Sequence, residues 1–303
     1  MNARTNTLTD TQFRIHPATR PGLVDLAVAD LDRQVSFYQT VLGFKLHERT
    51  ETSARLGAGG ADFLRLTLQP GGRRYRGTTG LYHFAVLFPN RRELALAIAR
   101  LFSIRYPNYP TDHILTKTTY LDDPEGNGIE LYAESPEDGT WEFENGEYVT
   151  RRSDGTPSDG REPLDVEALF RLLKPDDRLD APVPPETRLG HIHLHVANLQ
   201  SAVHFYHDVI GFDIMGMAPA FRMAFVSAGG YHHHIGLNTW AGEGAPPPPA
   251  GSLGLRYFTI RFPDRPALDA VLERVKGSQI PVETIEEGYL LRDPSQNGVV
   301  LTV

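Results

Sequence analysis

Apolar and polar residues alternate at four points along the chain, and each alternating stretch has the two-residue period of a half-buried strand. In one of them Ile192, Leu194 and Val196 form an apolar face, and His191, His193 and His195 share the other. In another, Phe84 and Val86 alternate with His83. Two of the alternating stretches are followed by short helical patterns. They are capped by Asp30 and Asn198 and ended by Gly43 and Gly211, with Leu199, Val203, Tyr206 and Ile210 on the apolar side of the second. Helical periodicity also covers Arg91 to Leu101 and Asp264 to Val275. Glycine pairs at 59–60 and 229–230 mark turns between further strands. The stretches Asp123–Leu131 and Asp293–Leu301 each join an Asp-Pro turn to a closing strand.

These elements repeat. Gly22–Leu31 recurs as Gly190–Leu199 at an offset of 168, and Gly80–Pro89 recurs as Gly254–Pro263 at an offset of 174. The phrases around Phe37-Tyr38 and Leu42–Phe44 return around Phe205-Tyr206 and Ile210–Phe212. Several matches in one order at nearly one offset describe a tandem duplication. The predicted class is α+β, with four βαβββ modules at 23–70, 79–134, 190–240 and 253–303. They are expected to pair by sequence order into domains 20–134 and 190–303. Residues 135–189 break the pattern and read as a linker with one helix within Leu164 to Leu173. Ala245–Ala250 reads as a stiff polyproline spacer.

Composition narrows the chemistry. The absence of cysteine leaves any metal to His, Asp, Glu or Tyr. A net charge of −8 without a long Lys/Arg cluster speaks against nucleic acid. No apolar run is long enough to span a membrane, and the polar stretch Met1 to Pro17 lacks a signal-peptide pattern, so the cytoplasm is the expected location. Eight of the twelve histidines fall between 191 and 234. Each buried imidazole without a partner costs roughly 1–3 kcal/mol, so such a cluster implies a wet cup, a ligand or a metal. By strand alternation His191, His193, His195, His232, His234 and Asn238 face the cup while His233 packs. His83 and Glu130 face inward in the first half, where Leu23 and Asp25 share a strand face. His204 and His207 fall on the polar side of their helix. Tyr82 is expected to pack, and Trp240 to end a cavity-lining strand.

The strand openings, the Phe-Tyr and Leu-Gly-Phe phrases and the closing Asp-Pro-x-Gly-Asn-x-Ile-Glu-Leu resemble the vicinal oxygen chelate superfamily. That group includes glyoxalase I, bleomycin resistance proteins and extradiol dioxygenases. The runs Gly190–Val196 and Gly229–Trp240 most resemble its catechol-2,3-dioxygenase-like branch. The resemblance implies modules curled into cups, with ligands from the first and last strands. It places the metal on His191 with His232 or His234, and a lesser site in the first half on His83 and Glu130, where Asp25 could help. Tyr257 and Val300 stand where the fourth module would carry a His and a Glu, so no carboxylate completes the second-half set.

The implied activity is an extradiol ring-cleaving dioxygenase of catechol-type diols, using Fe(II) or Mn(II), O2 and a small aromatic substrate. His193, His195 or Tyr257 would move the substrate proton, and Asn238 and Trp240 would line the pocket. The alternatives are a glyoxalase-type isomerase or lyase with Zn(II) or Ni(II), and a metal-free binding or resistance protein. A homodimer is left open.

Overall fold

The structure, a computed structural model, describes residues 13–144 and 147–303. The first twelve residues of the polar N-terminal stretch lie outside the described residues. The four modules are present, each with its first strand followed by a helix and three further strands. All four module helices open on a side-chain cap: Asp30 accepts from the Arg33 amide, Asn90 from Glu93, Asn198 from Ser201 and Asp264 from Ala267. Each cap is worth about 0.5–2 kcal/mol. The third helix tightens differently, since Phe205–Ile210 continues Leu199–His204 as a π-helical turn before Gly211 ends it in the left-handed conformation.

The strands gather into two large sheets, and these do not follow the sequence halves. One sheet joins the first and fourth modules through antiparallel pairing of Arg20–Val28 with Gly254–Arg261. The other joins the second and third through Gly80–Leu87 and Arg188–His195. The expected pairing of 20–134 and of 190–303 as sheet units is therefore corrected. All four modules open with the same kind of strand, and periodicity does not encode which two of those edges meet.

The sequence halves are nevertheless held together on the helix side. The Asp123 carboxylate accepts from Tyr38 Oη at 2.9 Å and from the amides of Glu125 and Asn127. Asp293 accepts from Tyr206 Oη at 3.1 Å in the same way. The Asp-Pro turns thus bind the second module to the first and the fourth to the third. Each module has one neighbour through its sheet and another through a Tyr–Asp bond.

The core lies between helices and sheets, and Val24, Leu26, Phe84, Val86, Ile192, Leu194, Phe258 and Ile260 are all buried in it. Burial on this scale contributes about 1.5–3 kcal/mol per large apolar side chain.

Residues 135–189 hold more structure than a linker. Val166–Phe170 is helical, and Gly139–Glu144 pairs with Glu147–Arg152 as a hairpin. Glu162–Pro163 adds an edge strand to the second sheet. No helix among the described residues is long and apolar enough to cross a membrane.

Candidate metal centre

The strand that opens the second module and the one that opens the third run antiparallel, with His83 opposite His193 and Ala85 opposite His191. The strand Gly128–Glu134 lies parallel beside the first of these and sets Glu130 next to Ala85. This register brings His83, Glu130 and His191 together, each at most 5% exposed, with one ligand atom apiece all within 4.8 Å of one another. Glu130 Oε2 lies 3.1 Å from His191 Nε2 and 3.1 Å from His83 Nε2. Its other oxygen accepts from Thr118 Oγ1 at 2.9 Å. The two residues assigned to a lesser first-half site and the principal second-half histidine thus belong to one constellation. The carboxylate missing at Val300 stands at Glu130 instead.

Burial alone would raise the Glu130 carboxyl, but the charge and hydrogen bond of His191, with His83 close beside it, outweigh burial and hold the group well below the usual carboxylate range. Burial lowers His191, against the opposing pull of Glu130, and depresses His193, His232 and His233 strongly. His193, His232 and His233 are therefore neutral at neutral pH, the form that ligates a cation.

Several nitrogens have no hydrogen-bond partner among the described residues: His83 Nε2, His191 Nδ1, His193 Nε2, His232 Nε2 and His233 Nδ1. His83 Nε2 is near the Glu130 carboxylate but outside hydrogen-bonding geometry. Orphaned donors and acceptors around an anionic carboxylate fit a bound cation. Two imidazoles with one carboxylate are the donor set of non-haem Fe(II) and of related divalent ions.

The local two-fold axis between the paired strands relates His83 to His191 and Ala85 to His193. As Glu130 stands beside Ala85, Gly236 stands beside His193. The fourth symmetry-related position is thus a glycine, which supplies no ligand atom and makes room for the His193 ring. A Cβ there would lie 2.8 Å from the His193 ring. In the other sheet the same four positions are Tyr257, Val300, Leu23 and Arg65. Leu23, Tyr257 and Val300 pack as a small apolar cluster, and Asp25 accepts from Arg256 at 2.7 Å and Thr67 at 2.8 Å. Asp25 and Tyr257 are therefore removed from the histidines, and that cup carries no ligand set among the described residues.

Other expectations divide. His193 lines the histidine cavity between His83, 5.1 Å away between ring centres, and Trp240 at 5.5 Å. His232 lines it too, with Nδ1 3.8 Å from Glu134 Oε2. His233, expected to pack, lies 4.2 Å from His191 between ring centres and forms with it and His232 a second group within 4.8 Å. His234 instead turns to Ser227 Oγ at 2.9 Å and away from the cavity. The reason is local: the strand begins only at Ile235, so alternation does not govern 232–234.

His195 shares a 2.7 Å hydrogen bond with Asn238 Oδ1, which also accepts from the Trp240 amide. His195 faces the neighbouring cavity, and Asn238 is fully buried as a support, not a lining residue. Trp240 does line the histidine cavity. His204 is exposed, but His207 is half-buried with Nδ1 donating to the Phe212 carbonyl at 2.6 Å.

Tyr82 is corrected as well. It is the extra residue of a β-bulge, since His83 opposes His193 while Leu81 opposes Leu194. A bulge puts two successive side chains on one side of the sheet, and Tyr82 reaches within 5.2 Å of the His193 ring centre. The symmetry-related bulge residue is Gly190, where a Cβ would collide with Tyr132 Oη.

The cavity has a volume of about 740 Å³. Its walls include Tyr120, His113, Trp141 and Phe225, which sequence reasoning did not place there. His113 joins Tyr120 Oη at 2.8 Å and the Gly160 carbonyl at 2.6 Å.

The chain matches the Glyoxalase/Bleomycin resistance protein/Dioxygenase superfamily over residues 16–131 and 188–300. A catechol-2,3-dioxygenase of Bacillus subtilis (strain 168) is 40% identical over 294 residues, covering 95% of this chain and 99% of that protein. Among solved structures, a candidate dioxygenase of B. subtilis aligns at a TM-score of 0.59 and 14% identity, covering 96% and 84% of the two chains. Glyoxalase I of Zea mays aligns at 0.54 and 17%, covering 94% and 92%. At those identities the structural likenesses concern the fold. The matched segments span all four modules, and the chain belongs to the glyoxalase, bleomycin resistance protein and dioxygenase superfamily.

Proposed function

We propose that this protein is a metal-dependent extradiol dioxygenase that opens the ring of a catechol-type aromatic diol, with His83, Glu130 and His191 as the metal ligands. The observation that carries the reading is the meeting of two imidazoles and one carboxylate, with a glycine at the fourth symmetry-related position, in an aromatic-walled cavity. The 40% identical relative supports the dioxygenase class over nearly the whole chain. His83, Glu130 and His191 would hold a divalent ion, Fe(II) or Mn(II), which would supply Lewis-acid activation of the diol and redox access to O2. Both oxygen atoms enter the product as the ring bond beside the diol breaks.

The chain's own residues account for the rest. Tyr82, Trp240 and Phe225 give the ring flat apolar faces and keep water from it. His193 has a neutral ring and an Nε2 without a partner among the described residues in the cavity, so it is placed to relay the diol proton onward, its lowered basicity keeping it from retaining the charge. His195 and Tyr257, placed elsewhere, have no part in that transfer. The binding-protein alternative rested on incomplete ligand sets in each half, and the set is complete once the second and third modules are taken together. A cytoplasmic location, a small aromatic substrate and O2 as co-substrate belong to the same proposal.

The test is elemental analysis of anaerobically purified protein, paired with O2 uptake on catechol. Wild type is expected to carry about one iron or manganese per chain and to consume O2 with the diol, and Glu130→Gln and His191→Ala are expected to lose both. Metal-loaded protein that consumes no O2 with any catechol overturns the reading.

A further inference from the structure

The segment between the second and third modules forms part of the cavity wall, with Trp141, Gly160 and Arg161 facing it. Its backbone is anchored, because His113 donates to the Gly160 carbonyl and Asp159 accepts from the Arg161 amide at 2.8 Å. Arg161 is the one Lys or Arg among the described residues lining this cavity. Two nearby cations are engaged elsewhere: Arg152 with Glu162, and Lys117 with Asp112 and Asp138. The Arg161 guanidinium has no ion pair with any described residue. Its charge reaches Tyr82, His113 and Tyr120, which come from three separate places in the chain.

Of the acidic groups that line the cavity with it, Asp159 accepts from the Arg161 backbone amide and the other two have partners of their own. Glu130 is held by the two imidazoles and Thr118, and Glu162 by Arg152 and Ser158. An exposed guanidinium on an aromatic wall with no ion pair among the described residues, in a chain of net charge −8, offers a fork to a planar anion. The volume of about 740 Å³ also exceeds the need of one unsubstituted ring, since cavities of about 300–1,000 Å³ take larger, drug-sized ligands.

We infer that Arg161 is the anion subsite of this cavity and that the substrate is a catechol bearing a carboxylate on its ring or on a short side chain. The inference rests on the dioxygenase reading for the diol and on Arg161 for the carboxylate. The diol end lies at the ligand cluster and the anionic end at the insert, so Arg161 fixes which way the ring enters.

Two measurements separate these parts. Iron(II)-loaded protein under nitrogen is titrated calorimetrically with catechol, 2,3-dihydroxybenzoate, 3,4-dihydroxybenzoate and 3,4-dihydroxyphenylacetate. O2 uptake is then followed with the same compounds. At least one carboxylated diol is expected to bind wild type about tenfold or more tightly than catechol. Arg161→Ala should remove that advantage while changing catechol binding less than about twofold, and Arg161→Lys should keep part of it. Equal weakening of catechol and carboxylated diols in Arg161→Ala overturns the subsite, as does a wild type that binds catechol as tightly as every carboxylated diol. Carboxylate-selective binding through Arg161 without O2 uptake retains the subsite and refutes the oxygenase. If no diol binds, both fall.

Discussion

The Nε2 of His191 and the Oε2 of Glu130 stand 3.1 Å apart, although 61 residues separate them and they belong to different modules. The contact exists because the opening strands of the second and third modules pair directly, which puts one carboxylate within reach of a histidine from each.

Thr118 is the protein group that donates to the far oxygen of Glu130, so it orients the carboxylate toward the two imidazoles. Partners of this kind are worth about 10–100-fold in metal affinity. Thr118→Val keeps the shape and removes the donor. Competition with a calibrated chelator should give a metal dissociation constant raised by about that factor, with the thermal unfolding midpoint nearly unchanged. An unaltered constant would show that Glu130 needs no such support.

Gly236 leaves the space that the His193 ring fills, with 2.8 Å between that ring and the place a methyl group would take. Gly236→Ala should displace the ring and leave His83, Glu130 and His191 in place. The expected pattern is full metal content with kcat reduced at least about tenfold and stability lowered by about 1–3 kcal/mol. Metal analysis, steady-state kinetics and denaturant titration read the three separately. Loss of metal together with activity would tie Gly236 to the ligands instead.

Acid should destabilise the fold steeply. Burial, and then the charge of Arg188, depress His234 to about 3 in the folded chain, against about 6.5 when unfolded. The unfolded chain therefore binds a proton that the folded chain refuses, and stability falls as pH drops from about 6.5 toward 3. Each such histidine contributes up to about 1.4 kcal/mol per pH unit, and His193, His232 and His233 are depressed in the same direction. Urea unfolding between pH 7.5 and 5 should show this slope, reduced by about one proton in His234→Gln. A flat profile would mean that the buried imidazoles are already charged or already exposed.

Much of the fold was legible. The repeated strand and helix order, the helix caps at Asp30 and Asn198, and the inward face of His83, Glu130, His191 and His193 all follow from alternation and capping chemistry. Partner choice was not, because four equivalent opening strands carry no local mark of which two will pair. That single gap split one ligand set into two partial ones. Alternation also failed where the backbone leaves the regular pleat. Tyr82 sits on a bulge, and His232 to His234 precede the strand, so parity mispredicted Tyr82, His233 and His234. Arg161 lay in a segment with no periodicity to interpret, and only its position against the cavity gives it meaning.

The four modules form a closed circuit, alternately joined by a sheet and by a Tyr–Asp bond. Severing the backbone within 135–189 would therefore not yield two independent proteins. Each fragment would expose two long unpaired strand edges, one per sheet, and each would hold only part of the ligand set, Glu130 and His83 on one side and His191 on the other. Two such fragments produced together should behave as obligate partners that recognise each other through those edges and regain the metal only on association. The duplicated chain is in this sense a dimer whose subunits have been made inseparable, with its reactive centre at the seam.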